Sequence, residues 1–195
     1  MLELPVTSAS RFVLVRPHYP ENVGAVARAM KVMGMTRLVL VKPSRLASPD
    51  HELARKMAVK SGDVLAAARC VESLEEALDG CAWAFATTAR RGVSGVMQPR
   101  GAARSAADAA ERGSRVAFVF GNEKTGLSQQ DLALCAESVR IPMAADQPSI
   151  NLAQAAQILA YELFLVGLER RALHKAAASQ LTGAAVSGDG PSRKT

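Results

Sequence analysis

Two short runs, Phe12-Val13-Leu14-Val15 and Leu38-Val39-Leu40-Val41, are apolar at every position rather than at every second one. A strand without a polar face must be covered on both sides, which is the situation of a strand in a parallel sheet. Between the two runs, Val23, Val26, Ala27, Met30 and Met33 recur at helical spacing, and Gly34 offers a C-terminal stop. Strand, helix and strand in that order imply a crossover, and so parallel pairing. Further strands are expected at Ala82–Ala86, at Arg115–Phe120 and near Val139. Helices are expected at about Glu52–Lys60, after Gly62, from the capping pattern Ser73-Leu74-Glu75-Glu76, from Ser128, and along the apolar stretch that opens at Leu152. The predicted fold class is α/β, a single layered domain with a mainly parallel sheet over residues 1–174. Residues 90–101, dominated by Arg, Gly, Ser and Pro, are predicted to be a mobile loop, and residues 175–195 a disordered tail.

Charge narrows the choice of partner. The net charge is +6, and residues 11–60 hold ten Lys/Arg against three Asp/Glu, while residues 89–104 hold Arg90, Arg91, Arg100 and Arg104 with no acid. A one-sided excess of this kind suits a polyanion, although a solvated basic face is the plain alternative. Aromatics make up only 4% of the chain, which argues against an extended platform for single strands. Cys70, Cys81 and Cys135 are unclustered, and the N-terminus has no basic stretch followed by an apolar run. A cytoplasmic protein with reduced thiols is therefore expected. The apolar segment Ile158–Leu168 reads as too short and too polar to span a bilayer.

Several familiar chemistries have no motif here. The chain has no GxGxxG after a strand, no GxxxxGK[ST], no HExxH, no GxSxG and no Cys/His cluster, and His18, His51 and His174 are scattered. No metal is expected, and a nicotinamide-dependent oxidoreductase is disfavoured by the missing glycine fingerprint. What the chain does show is one arrangement three times over. His18-Tyr19-Pro20-Glu21-Asn22-Val23-Gly24, Phe120-Gly121-Asn122-Glu123-Lys124-Thr125-Gly126 and the segment from Ile141-Pro142 to Ser149-Ile150-Asn151 each join a strand end to a helix start. Such loops present free N–H groups and a helix dipole to a ligand, and three of them point to one composite site.

These loops also resemble a family. Asn22-Val23-Gly24-Ala25-Val26-Ala27-Arg28-Ala29-Met30 is similar to the first motif of the SpoU branch of the SPOUT RNA methyltransferases. Phe118 to Leu127 is similar to the second, and Ile141-Pro142 with Ser149-Ile150-Asn151-Leu152-Ala153 and the helix through Tyr161-Glu162 to the third. The likeness covers about residues 10–170, and with Thr87-Thr88-Ala89-Arg90 the wording is nearest to the TrmJ-type tRNA ribose methyltransferases. The resemblance implies S-adenosylmethionine as methyl donor and a ribose 2′-hydroxyl of RNA as acceptor, tRNA being favoured and its anticodon loop the target. It also implies a C-terminal trefoil knot, an exception to the general absence of threading, and a homodimer with a composite site. TrmJ-type chains usually continue into a helical extension, where this one runs into a Gly/Ser/Ala tail.

By resemblance the catalytic set is Arg28, Asn22, Glu123, Ser149 and Asn151. The cofactor set is Thr87, Thr88, Ala89, Gly121, Ile141, Pro148, Ser149, Ile150 and Leu152. The residue types leave bland roles open. Arg28 reads equally as a surface arginine, Glu123 as a turn carboxylate, and Asn22 and Ser149 as helix N-caps. Asn151 within an apolar helix start is locally unfavourable, which is the kind of inconsistency that marks function. A guanidinium stays protonated in nearly every setting, so the role of Arg28 as base or as electrostatic stabiliser stays open. Met30, Met33, Met35 and Trp83 read as core filler. Two rivals remain: the same chemistry on rRNA, and an RNA-binding protein that keeps the fold without the activity.

Overall fold

The structure is a computed structural model that describes residues 2–144, 147 and 149–186, with side chains to residue 180. The elements run α1 (Pro5–Ala9), β1 (Ser10–Val15), α2 (Pro20–Val32), β2 (Arg37–Val41), α3 (Glu52–Ala58), α4 (Gly62–Ala66), β3 (Arg69–Val71) and α5 (Leu74–Leu78). They continue with β4 (Trp83–Thr87), β5 (Val96–Met97), α6 (Pro99–Glu111), β6 (Val116–Phe120), α7 (Gln129–Ala133), β7 (Glu137–Val139) and α8 (Leu152–Val186). The seven strands form one sheet in the order β3-β2-β1-β6-β4-β7-β5, and every pairing between them is parallel.

The continuous apolar runs have the physical cause expected of them. Alternate residues of the central strands enter two cores, one on each face. Phe12, Leu14, Leu38, Leu40, Phe85, Phe118 and Phe120 face α2, α6 and α8. Val13, Val15, Val39, Val41, Ala86, Ala117 and Val119 face the side of Leu74, Ala77 and Leu127. Four phenylalanines form the centre of the first core, with ring centroids 4.9 Å apart for Phe12–Phe120 and Phe85–Phe118 and 5.9 Å for Phe12–Phe118. Truncating any of them to alanine is worth about 3–5 kcal/mol. In the second core Arg11 is buried, and its guanidinium donates to the carbonyls of Ala77 at 2.5 Å and Asp79 at 3.0 Å at the end of α5.

Several expectations change. Residues 90–101 are not all loop: β5 pairs with β7, α6 begins at Pro99, and Arg140 donates its N–H to the Met97 carbonyl at 2.9 Å and its guanidinium to the carbonyls of Arg90 and Val93. Helix α6 buries Ala102, Ala103, Ala106, Ala107 and Ala109, a face of methyl groups too faint to register as apolar periodicity. Trp83 is 44% exposed at the start of β4 and is not core, whereas Met30 and Met35 are fully buried. The boundary drawn at residue 174 falls inside α8, because Leu173-His174-Lys175-Ala176-Ala177-Ala178 is a strong helix-forming stretch. Residues 187–195 lie outside the described residues. Between Leu152 and Gln180 α8 is, by length and composition alone, apolar enough to cross a membrane, a test that a core helix also meets. Its apolar face instead packs on α1, α2 and α6, with Leu159, Ala160, Leu163 and Val166 buried.

Close packing of α2 on α3 explains Gly24. A methyl group there would overlap the Ala54 carbonyl and lie 2.9 Å from the Met57 Cβ. Gly24→Ala should therefore lower stability by about 1–3 kcal/mol, the range for overpacking, read as a shifted urea midpoint with an unchanged slope.

Candidate active site

In an open parallel sheet a ligand crevice forms at the carboxyl edge where the strand order reverses. Here β2 and β3 lie to one side of β1 and every later strand but β3 to the other, so the reversal falls between β1 and β6. The loop after each strand leaves at the same edge. Arg16, directly after β1, has φ of 52°, a left-handed turn that is costly for a side chain bearing a Cβ. Its carbonyl accepts the Asn122 side-chain amide at 2.6 Å, which fastens the first loop to the second. The Asn122 carbonyl oxygen of the side chain in turn accepts the main-chain N–H groups of Lys124 at 2.9 Å and Thr125 at 3.2 Å. The second loop closes on itself through Gly126 N–H to the Asn122 backbone carbonyl at 2.8 Å. A methyl group on Gly121 would overlap the Gly126–Leu127 backbone, so only glycine lets the strand end run this close.

Glu123 is the anchor between the loops. One carboxylate oxygen accepts the His18 N–H at 2.9 Å, and the other accepts the Tyr19 N–H at 3.2 Å and the Asn22 amide at 2.9 Å. Hydrogen bonds to a charged group are each worth about 1.5–3 kcal/mol when the donors would otherwise lack partners. The Asn22 side-chain oxygen accepts the Asn151 amide at 3.0 Å. The Asn151 oxygen accepts the N–H groups of Ala153 at 2.9 Å and Gln154 at 3.3 Å, which makes Asn151 the N-cap of α8. One chain of side-chain contacts thus joins Glu123, Asn22 and Asn151 across all three loops. The bland roles are redistributed accordingly. Asn151 rather than Ser149 caps α8. The N-cap of α2 is Tyr19, with Pro20 in the first turn, so Asn22 caps nothing.

Beside this chain of contacts lies a cavity of about 290 Å³. Thr87, Thr88, Ala89, Gly121, Ile141, Ser149, Ile150 and Leu152 all line it, as do Glu123, Arg90, Phe120, Val139 and Met143. Pro148 lies outside the described residues. Its walls combine strand-end main chain with apolar side chains, and the first turn of α8 forms one side. That mix suits a flat heterocycle joined to a polar, charged tail. Arg90 also donates to the Leu127 carbonyl at 2.6 Å, bridging two of the cavity's loops; periodicity carried no sign of this.

Arg28 does not join this group. It is exposed on α2, lines no part of the cavity, and makes no hydrogen bond or ion pair among the described residues. The basic surface also divides. Arg55 pairs with Asp50 and Arg100 with Glu162 and Glu169, whereas Arg45, Lys56, Lys60 and Arg104 are exposed and without an ion pair among the described residues.

Comparison with known proteins gives a consistent result. The profile described as the SpoU rRNA Methylase family matches residues 9–161. A tRNA (cytidine/uridine/adenosine-2′-O-)-methyltransferase TrmJ of Pseudomonas aeruginosa is 42% identical over 160 residues, 81% of this chain and 61% of its own length. The chain thus spans about three fifths of that relative. The crystal structure of TrmJ from Z. mobilis ZM4 is 36% identical and superposes with a TM-score of 0.73 over 80% of this chain and 69% of that one. A structure concerned with 2-OH methylation of C/U34 on tRNA is 25% identical, with a TM-score of 0.63 over 80% of this chain and 93% of that one.

Two variants probe the site's scaffold. Gly121→Ala should displace the 121–127 loop and weaken ligand binding in the cavity by at least about tenfold, measured by calorimetry with S-adenosylhomocysteine. The second concerns Asp131, which pairs with Arg16 and closes the capping box of α7 with Ser128. Burial pushes its carboxyl up, but hydrogen bonds from Arg16 and Ser128 outweigh burial and hold it below the usual carboxylate range. A lowered folded-state pKa gives stability that is present above the unfolded value of about 4 and is lost as pH falls through the folded one. Asp131→Asn should cost about 1–2 kcal/mol at pH 7, and the difference from native protein should shrink below about pH 4. Urea unfolding at a series of pH values reads this directly.

Proposed function

We infer that this chain, which belongs to the SpoU rRNA methylase family, is an RNA methyltransferase that moves a methyl group from S-adenosylmethionine to a ribose 2′-hydroxyl of tRNA, in the anticodon loop. The observation that carries this reading is that one cavity is lined by the loops of the second and third motifs and by Thr87–Arg90, while Asn22 of the first motif is joined side chain to side chain to Glu123 and Asn151 beside it. The names of two similar proteins support tRNA, and the C/U34 in one of them supports the anticodon position. The family's own description supports rRNA as the second reading.

Main-chain groups at Thr88, Ala89 and Ile141, with the apolar walls Leu152, Ile150 and Phe120, would hold the donor. S-adenosylmethionine, when bound there, supplies an electrophilic methyl group on a sulfonium and departs as a neutral thioether. The protein's part is then mostly positioning and charge stabilisation. Glu123 keeps the first loop against the second, and Asn151 fixes the start of α8, whose N-terminal dipole favours negative charge developing nearby. A ribose 2′-oxygen losing its proton needs a cation beside it. Arg28 is the residue proposed for that task, supplied by a second copy of the chain, since in its own subunit it stands free of the cavity. The reading therefore includes a homodimer. It also includes the C-terminal trefoil knot that the family resemblance implies, which the place of β7 between β4 and β5 supports. Free Cys70, Cys81 and Cys135 suit a cytoplasmic setting.

The deciding experiment is transfer of labelled methyl from S-adenosylmethionine to separated tRNA and rRNA fractions. Transfer to tRNA is expected, and the absence of both transfer and cofactor binding favours the silent RNA binder. Arg28→Ala should cut transfer by about 10²–10³ and leave cofactor affinity nearly intact; native turnover by this variant removes Arg28 from the site. Mixing Arg28→Ala with Asn151→Ala should restore up to about a quarter of native activity, because half of the randomly formed dimers carry one intact composite site. A single-chain mass by light scattering with full activity refutes the composite arrangement.

A further inference from the structure

Tyr19 touches two residues of the cavity wall, Glu123 and Lys124, and its side chain has no part in the reading above. Its position is tightly set. The N–H is held by Glu123 at 3.2 Å, and the carbonyl accepts the N–H groups of Asn22 at 3.2 Å and Val23 at 3.4 Å. The His18 ring meets it edge-on, with centroids 4.7 Å apart and planes at 89°. Lys124, which lines the cavity, places its Nζ 5.7 Å from the Tyr19 ring centroid. Although its ring is braced from two sides, Tyr19 is still 42% exposed.

A lone exposed aromatic needs no explanation by itself. This one differs because its backbone hangs from the carboxylate that joins the loops, and because a residue of the cavity wall sits over its ring. The geometry points to Tyr19 as a stacking platform for a nucleobase of the substrate RNA, the base of the acceptor nucleotide or the one next to it. This rests on the RNA methyltransfer reading. A ribose presenting its 2′-oxygen to the cavity carries its base on the adjacent ring carbon, C1′, and that base needs a surface once it leaves the stack of an RNA loop. An aromatic face held in place provides one at small entropic cost, and Lys124 beside it adds a cation for the flanking phosphate. Stacking engages the π face that every base has, so the platform orders a nucleotide without selecting its identity. The low aromatic content argues against an extended platform, but a single splayed nucleotide requires a single ring.

The test compares native protein with Tyr19→Ala, Tyr19→Leu and Tyr19→Phe, using S-adenosylmethionine and whichever RNA fraction the native protein methylates. Tyr19→Ala and Tyr19→Leu should raise the KM for RNA roughly tenfold or more, and Tyr19→Phe should recover to within about threefold. All four should bind S-adenosylmethionine with the same Kd. A packing role would follow side-chain bulk, so Tyr19→Leu behaving like Tyr19→Phe overturns the platform, as does a native KM in Tyr19→Ala. Weakened S-adenosylmethionine binding in Tyr19→Ala assigns the ring to the cofactor and overturns it too. Each of these outcomes leaves methyl transfer by the native protein in place. No transfer by the native protein to any RNA overturns the underlying reading and the platform with it.

Discussion

Because β1 and β6 lie side by side and run in the same direction, the loops that follow them must leave the sheet at one edge and meet. Everything at the site depends on that juxtaposition. Strand-end N–H groups at His18 and Tyr19 have no ladder partner, and the Glu123 carboxylate from the neighbouring loop accepts both while also holding Asn22. A carboxylate with three donors is satisfied where a neutral side chain would leave some of them bare. The Arg16 carbonyl, turned by a left-handed residue toward Asn122, secures the same pair of loops a second time. The two loops therefore act as one body beside the cavity.

Helix α8 connects that body to the core. Its N-cap, Asn151, touches Asn22, its first turn lines the cavity, and its middle is buried against α1, α2 and α6. Side chains carried by an element this deeply embedded are held more narrowly than side chains on free loops. The same embedding explains how a helix with the length and composition of a membrane span serves as the core helix of an α/β sheet.

Arg28 presents the opposite case. The motif that contains it is folded as expected, yet the side chain is exposed and lines no part of the cavity whose chemistry it is proposed to serve. Asn22, six residues earlier on the same helix, is inside the hydrogen-bonded group. A helix turns about 100° per residue, so six residues place the two side chains well apart around its axis. One helix can thus supply a site in its own subunit through Asn22 and another through Arg28 when a second copy docks, which is the composite arrangement proposed.

Residue pattern alone determined the central strands, their parallel direction and the placement of α2, α3, α5 and α7, because uninterrupted Val/Leu runs, helical spacing and Ser128 or Ser73 at a helix start are local signals. It also marked the three loops that meet at the site, since their polar residues interrupt otherwise apolar sequence. Tertiary structure alone decided what no short window contains. Three-residue β3 and two-residue β5 exist only because β2 and β7 offer edges to pair with. The Ala-rich α6 is a helix whose face counts as apolar only when the sheet covers it. The exposure of Trp83 and the commitment of Arg100 to Glu162 and Glu169 depend on neighbours up to 69 residues distant. Which asparagine caps α8, and which bridges the loops, was settled by geometry between Asn22 and Asn151, 129 residues apart, where hydrogen bonds obey distance in space and are blind to distance along the chain.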